Sequence, residues 1–266
     1  MILPGLNLGY TSSMFRLVLT AWLVGILPTL AIAGMQADRA PVEPGGVLAP
    51  LGSGVGSGLD KVPSETDRYT VDRYRNAAEA GHAWAQFRLG LMYAEGEALA
   101  RDARAAVYWF RKAAAQEHAA AQYALGVVHA FGHGVAKDEV LAVHWFRVAA
   151  EQGYPLAQHD LGLMYYKGMG VEKDDAEAVR WWMKAAEQGN APAQSKLGAM
   201  YIRGTGVPRD HVQAYAWISI AAARGDAAAT KAMAMIDEIL TPGERERARQ
   251  LSSEYRRAYD SSPAPR

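Results

Sequence analysis

The side chains that could carry chemistry are few in kind and regular in spacing. His129 and His133 stand four apart, the interval that sets two imidazoles on one helical face within reach of a zinc ion. His133, however, lies between Gly132 and Gly134, beyond the end of any helix, and neither a third ligand nor a His-Glu-x-x-His arrangement accompanies the pair. His129 occupies a slot held elsewhere by Tyr93, Tyr165 and Tyr201, which marks it as a packing substitution. Asp102, Asp138, Asp174 and Asp210 are candidate acid–base carboxylates, but successive copies lie 36 residues apart and each stands just ahead of a helix. An aspartate there accepts from first-turn amides and complements the helix dipole, worth about 1 kcal/mol. Trp109, Trp145, Trp181 and Trp217 could wall an aromatic ligand box; their recurrence beside core positions such as Ala106 reads instead as a buried seam. Cysteine is absent, which removes thiolate chemistry, disulfides and lipid attachment behind a leader. No nucleophile elbow, phosphate loop or dinucleotide glycine pattern occurs. The expectation is a chain with no catalytic residue, no metal site and no cofactor.

The elements that position these residues follow from the same interval. Leu89-Gly90, Leu125-Gly126, Leu161-Gly162 and Leu197-Gly198 recur every 36 residues, as do Ala85-Gln86, Ala121-Gln122, Ala157-Gln158 and Ala193-Gln194. A period in this range signals a stacked array. Each unit reads as two helices, the first over about 83–94 and the second over about 103–116 in the first unit. Ala106, Trp109, Phe110 and Ala113 give the second helix one apolar face. Gly96, Gly132, Gly168 and Gly204 follow the first helix, where a left-handed cap belongs, and Gly153, Gly189 and Gly225 end the second. Two sites depart from the pattern. Ala98 replaces the loop glycine found at Gly134, Gly170 and Gly206, and Glu117 replaces a helix-ending glycine. Both turns are expected to differ in shape, since positive φ costs alanine about 1–2 kcal/mol.

The run Trp181-Trp182-Met183-Lys184-Ala185-Ala186-Glu187-Gln188-Gly189, with Ala193-Gln194, Leu197-Gly198, Tyr201, Gly204-Thr205-Gly206-Val207 and Asp210, resembles the Sel-one-like repeat family, relatives of tetratricopeptide repeats. The match spans roughly 74–225. The resemblance implies an all-α, right-handed solenoid of helix-turn-helix repeats with about eleven helices. It also implies a scaffold that binds proteins in signalling, envelope assembly or host interaction. An alternative is a small-ligand or hydrolytic protein, as described for exported, cysteine-rich members that take penicillin-type compounds; the missing cysteines and nucleophile weigh against it.

The flanks read differently. Arg16, the uncharged stretch Leu17–Ala33 and Ala31-Ile32-Ala33 describe a secretory signal over 1–33, cleaved after Ala33, with Met14 a second candidate start. Left uncleaved, the 17 apolar residues would form an inner-membrane anchor at the lower edge of a span. Residues 34–63, rich in Pro, Gly and Ser, are expected to be a disordered linker reaching roughly 30 Å. The solenoid is assigned to 64–240, with a lone second-type helix (67–80) ahead of it and a worn first-type helix (227–240) behind. A capping helix over 241–259 opens with the box Thr241-Pro242-Gly243-Glu244, and 260–266 form a disordered tail. Arg245, Arg247, Arg249, Arg256 and Arg257 on the capping helix alternate with glutamates and read as a solvated end rather than a membrane patch.

Basic and acidic residues number 28 each, so no charge excess favours nucleic acid. The expected partner is protein, and a cleaved leader would leave the chain periplasmic or secreted, without stable membrane insertion. Frame positions must keep their chemistry for units to stack; sites that change between units are free to read a partner. On the first-type helices those sites are Phe87, Tyr123, His159 and Ser195, then Arg88, Ala124, Asp160 and Lys196, then Glu95, Phe131, Lys167 and Arg203. By analogy with other α-solenoids these helices line the concave side, so this strip is the expected protein-binding face.

Overall fold

The computed structural model describes residues 65–259. The expected signal, linker and tail (1–33, 34–63 and 260–266) lie outside the described residues. Among those described, every element is helical: α1 (Glu65–Glu79), α2 (Ala83–Glu95), α3 (Ala103–Ala114), α4 (Ala119–Phe131), α5 (Glu139–Glu151), α6 (Pro155–Lys167), α7 (Asp175–Glu187), α8 (Ala191–Arg203), α9 (His211–Ala223), α10 (Ala227–Ile239) and α11 (Pro242–Tyr259). Helices α2 to α9 form four two-helix units that stack into an α-solenoid, each helix packing on its neighbours in sequence.

Local chemistry sets the boundaries. Gly96, Gly132, Gly168 and Gly204 end the first-type helices at φ between 66° and 76°. The side chains of Asp102, Asp138, Asp174 and Asp210 accept first-turn amide protons of the second-type helices at 2.9–3.0 Å. The two departures keep the common shape: Ala98 takes φ 57° and Glu117 takes φ 61°. Stacking therefore imposes the left-handed turn on side chains that disfavour it, at about 1–2 kcal/mol each. The expectation of altered turns was wrong.

Units lock together at three levels. In the core, the glycines of the Leu-Gly pairs let a second-type side chain lie flat on the first-type backbone. A Cβ added at Gly90, Gly126, Gly162 or Gly198 would fall 2.6, 2.4, 2.7 or 2.3 Å from Phe110, Phe146, Trp182 or Ile218. At the loops, Gly134, Gly170 and Gly206 press on the preceding unit, where an added Cβ would meet the carbonyl oxygens of Ala103, Glu139 and Asp175 at 2.4, 2.2 and 2.3 Å. Between helix ends runs a glutamine ladder. Gln86, Gln122, Gln158 and Gln194 donate to the carbonyls of Ala78, Ala114, Ala150 and Ala186 at 2.9–3.4 Å, on the last turn of the preceding second-type helix. The first three also accept from Gln116, Gln152 and Gln188 at 2.6–2.8 Å. Buried amides need such partners, and here each satisfies a helix-end carbonyl.

The tryptophan seam needs correcting. Trp109, Trp145 and Trp181 are only half-buried, each against the core of the unit before it. The wholly buried row is the next residue along: Phe110, Phe146, Trp182 and Ile218, all at 1% exposure or less. Trp217 alone of its row is buried, because α11 crosses α9 and stacks Tyr255 and Tyr259 on it with ring centroids 4.5 and 5.6 Å away. The capping box forms as expected: the Thr241 amide donates to Glu244 Oε2 at 2.9 Å, and the Glu244 amide to Thr241 Oγ1 at 3.3 Å.

Candidate partner-binding surface

The structure divides the expected strip into buried and accessible members. Phe87 is 7% exposed and packs on Phe110 and His118. Tyr123 is 9% exposed, packs between Phe146 and Tyr154, and donates its hydroxyl to Asp160 Oδ2 at 3.0 Å in the next unit. Burial, together with the Asp160 carboxylate, pushes the Tyr123 phenol well above its ordinary value. These two aromatics are mortar between units, not anchors for a partner, and leave the strip. Ala124 is likewise buried, and Phe131 is half-buried, stacked on His133 at 5.9 Å.

His159 and Asp160 are held together, with His159 Nδ1 2.9 Å from Asp160 Oδ1 and both side chains less than one-fifth exposed. Asp160 thus accepts from two units at once. Arg88 is partly buried, with its guanidinium 3.9 Å from Glu97 and 5.7 Å from the Tyr74 ring centre. Glu95 reaches solvent at the end of α2, yet lost hydration and the Glu97 charge outweigh Arg88 and raise its carboxyl to about 7. At the end of α6 and along α8 the strip is cationic. Lys167 and Arg203 are exposed, and Arg203 donates to Tyr166 Oη at 3.2 Å. Lys196, half-buried, is pushed below the ordinary lysine value by burial and by Lys167 and Arg203, against the pull of Asp226. Ser195 is half-buried beside it.

His129 lies buried in the tyrosine slot, and burial lowers both His129 and His133. Among the described residues no three metal-ligating side chains gather, and no helix is long and apolar enough to cross a membrane. What the geometry offers is surface: stacked units with polar side chains along their first-type helix ends.

The Sel1 repeat model matches 85–118, 119–154, 155–190 and 191–226, together more than half of the chain. The chain belongs to the Sel1 repeat family. Its matched units coincide with the four stacked helix pairs, and family members generally mediate protein–protein interaction as non-catalytic scaffolds. Among the solved structures similar to it are these two. A Sel1 repeat protein from Oxalobacter formigenes is 39% identical at a TM-score of 0.60, over 64% of this chain and 50% of that one. A protective antigen of uropathogenic Escherichia coli with an SLR fold is 33% identical at a TM-score of 0.50, over 71% of this chain and 49% of that one. The chain thus spans about half the length of these relatives. No curated protein matches it.

The glutamine ladder is the feature sequence reasoning saw without assigning a role. Its signal was a second glutamine 30 residues after each first one, at Gln116, Gln152 and Gln188.

Proposed function

We propose that this Sel1 repeat protein is a non-enzymatic adaptor of the bacterial envelope, or a secreted one, that holds a protein partner along its first-type helices. The observation that carries this reading is the cluster of Lys167, Lys196 and Arg203 on the first-type helices α6 and α8 of two successive units, with Lys167 and Arg203 exposed. Arg88, Glu95 and Asp160 extend the polar strip toward the first unit. Such a surface suits an acidic peptide or domain, and its contacts come from rigid helices rather than loops. The leader expected over 1–33 would export the chain, and the linker over 34–63 would tether or space the solenoid.

The test is capture from envelope extract by the mature chain, with the bound protein identified by mass. Arg203→Glu combined with Lys167→Glu, both exposed side chains, is expected to abolish capture and leave the melting temperature within a few degrees of wild type. Capture that survives both changes refutes the first-type strip. N-terminal sequencing of the exported chain is expected to begin at Gly34, and an intact leader in membranes would establish the anchor instead. The mature chain is expected not to hydrolyse a β-lactam reporter; turnover abolished by one Ser or Asp substitution would overturn the adaptor reading.

A further inference from the structure

The last unit shows what its outer face can hold. Helix α11 lies across α9: Tyr255 and Tyr259, four residues apart, stack on Trp217, Tyr255 Oη donates to Gln213 Oε1 at 2.6 Å, and Ser252 meets Ser219. Under this cover Ala216 is 0% exposed and Ile220 2%. Three periods earlier, on α3, the same positions are Tyr108, 53% exposed, and Lys112, also exposed. There, between α3 and the loop after α4, lies an open cleft of about 350 Å³ whose lining includes Arg104, Val107, Tyr108, Arg111, Lys112 and Val135. Tyr108 stands edge-on to the half-buried Trp109 at 5.0 Å, with Lys112 Nζ 5.7 Å from its ring centre. Helix α3 carries three cations and no acidic residue, whereas α5 and α7 carry both signs.

We propose that this cleft on α3 is a second docking surface, and that its occupant is an acidic amphipathic helix of a partner protein bearing aromatic residues at i and i+4. The shape argument comes from α11, whose aromatic pair stacks on Trp217, the counterpart of Trp109 beside the cleft, and whose Ser252 meets Ser219, the counterpart of Arg111 within it. The charge argument fixes the rest. Helix α11 is itself basic, with five arginines against three glutamates, so a second copy's terminal helix would be repelled by Arg104, Arg111 and Lys112. A helix of the same form but opposite charge is drawn in, and its aromatic pair stacks on Trp109 with Tyr108 beside it. This surface is independent of the first-type strip proposed above, and either can fail alone.

The test uses two fluorescein-labelled synthetic peptides, measured by anisotropy against the mature chain. One copies Pro242–Tyr259; the other carries Arg247→Glu, Arg249→Glu, Arg256→Glu and Arg257→Glu. The acidic peptide is expected to bind at least about ten-fold more tightly than the basic one, and more weakly as salt rises. Tyr108→Ala and Lys112→Glu in the protein are each expected to weaken it about ten-fold or more without moving the melting temperature, since both side chains are exposed. Lys167→Glu with Arg203→Glu should leave it unchanged. Equal binding of the two peptides, or binding that survives the α3 variants, overturns the proposal, the latter by showing exchange for the chain's own α11. Phosphatidylglycerol vesicles that bind through the same cations while neither peptide does would make the cleft a lipid surface and also overturn it.

Discussion

Gly126→Ala should change the sign of its effect according to what stands at position 146. Alanine in a helix is ordinarily favoured over glycine by about 1 kcal/mol. At Gly126, however, the new Cβ would lie 2.4 Å from Phe146 Cδ1 and 2.5 Å from Cε1, on a ring only 1% exposed with no free direction to move. Overpacking of this kind costs about 1–3 kcal/mol, so the single variant should be destabilised by up to about 2 kcal/mol net. Phe146→Ala alone removes a buried ring and should cost about 3–5 kcal/mol. In that background the methyl enters vacated space, the clash disappears, and Gly126→Ala should stabilise by about 1 kcal/mol. The coupling between the two positions is then about 1–3 kcal/mol.

Urea unfolding of the four chains, followed by far-ultraviolet circular dichroism, measures the cycle. Their m-values must agree, because stacked repeats can unfold unit by unit and a changed m would mean that fewer units unfold together. Gly243→Ala is the control: an added Cβ there meets nothing within 4 Å, so it should stabilise without dependence on Phe146. If Gly126→Ala shifts stability equally in both backgrounds, the glycine is not there to admit the ring, and the account of the Leu-Gly pairs is wrong.

Ala98→Gly and Glu117→Gly should each stabilise by about 1 kcal/mol in the same assay, since both residues sit at positive φ. Gln158→Ala should cost about 1 kcal/mol, because it removes two hydrogen bonds whose other partners, the Ala150 carbonyl and the Gln188 amide, keep their bonds to the Gly153 amide and the Lys184 carbonyl, and Gln158→Glu should not rescue it. Trp145→Ala should cost only about 1–2 kcal/mol, well below Phe146→Ala, because the indole is half-buried; an equal loss would restore the tryptophans as the seam. The Glu95 carboxyl, raised to about 7 from an ordinary 4.5, binds more protons folded than unfolded between those values. Stability should therefore decline slightly as pH rises through that window, and Glu95→Gln should flatten the slope; the side chain reaches solvent, so the slope is shallow.

Punctuation was legible because it obeys local rules. A glycine cap or an aspartate N-cap is decided within one turn of chain, so Gly96 and Asp102 announce their roles unaided. The seam was misplaced by one residue because identity is a poor guide to burial. The tryptophan row repeats without change, while the truly buried row runs Phe110, Phe146, Trp182, Ile218. That row varies in size because the facing glycine supplies room and neighbouring side chains absorb the difference. The binding strip was half misread for a related reason. Tyr123 differs from its counterparts, and Asp160, 37 residues later, accepts its hydroxyl proton across the interface. Single positions compared along the repeat cannot show such pairing across an interface.

Variation on a stacked array has two sources, and the structure separates them. First-type helices are enclosed by units on both sides, with 121–130 of α4 buried without a break, so a change there must be answered by the next unit. Tyr123 with Asp160 and Tyr166 with Arg203 are such answers, both 37 residues apart. Second-type helices face outward, and their outer residues answer only to what covers them. Where α11 supplies a cover, the face reads Ala216, Ser219, Ile220; where none is present among the described residues, it reads Tyr108, Arg111, Lys112. The half-exposed tyrosine edge-on to a tryptophan offers a receiving helix an aromatic contact, and the three cations around it a charge to choose the helix by. The second-type helix whose charges are all of one sign is therefore where recognition from outside should be sought first.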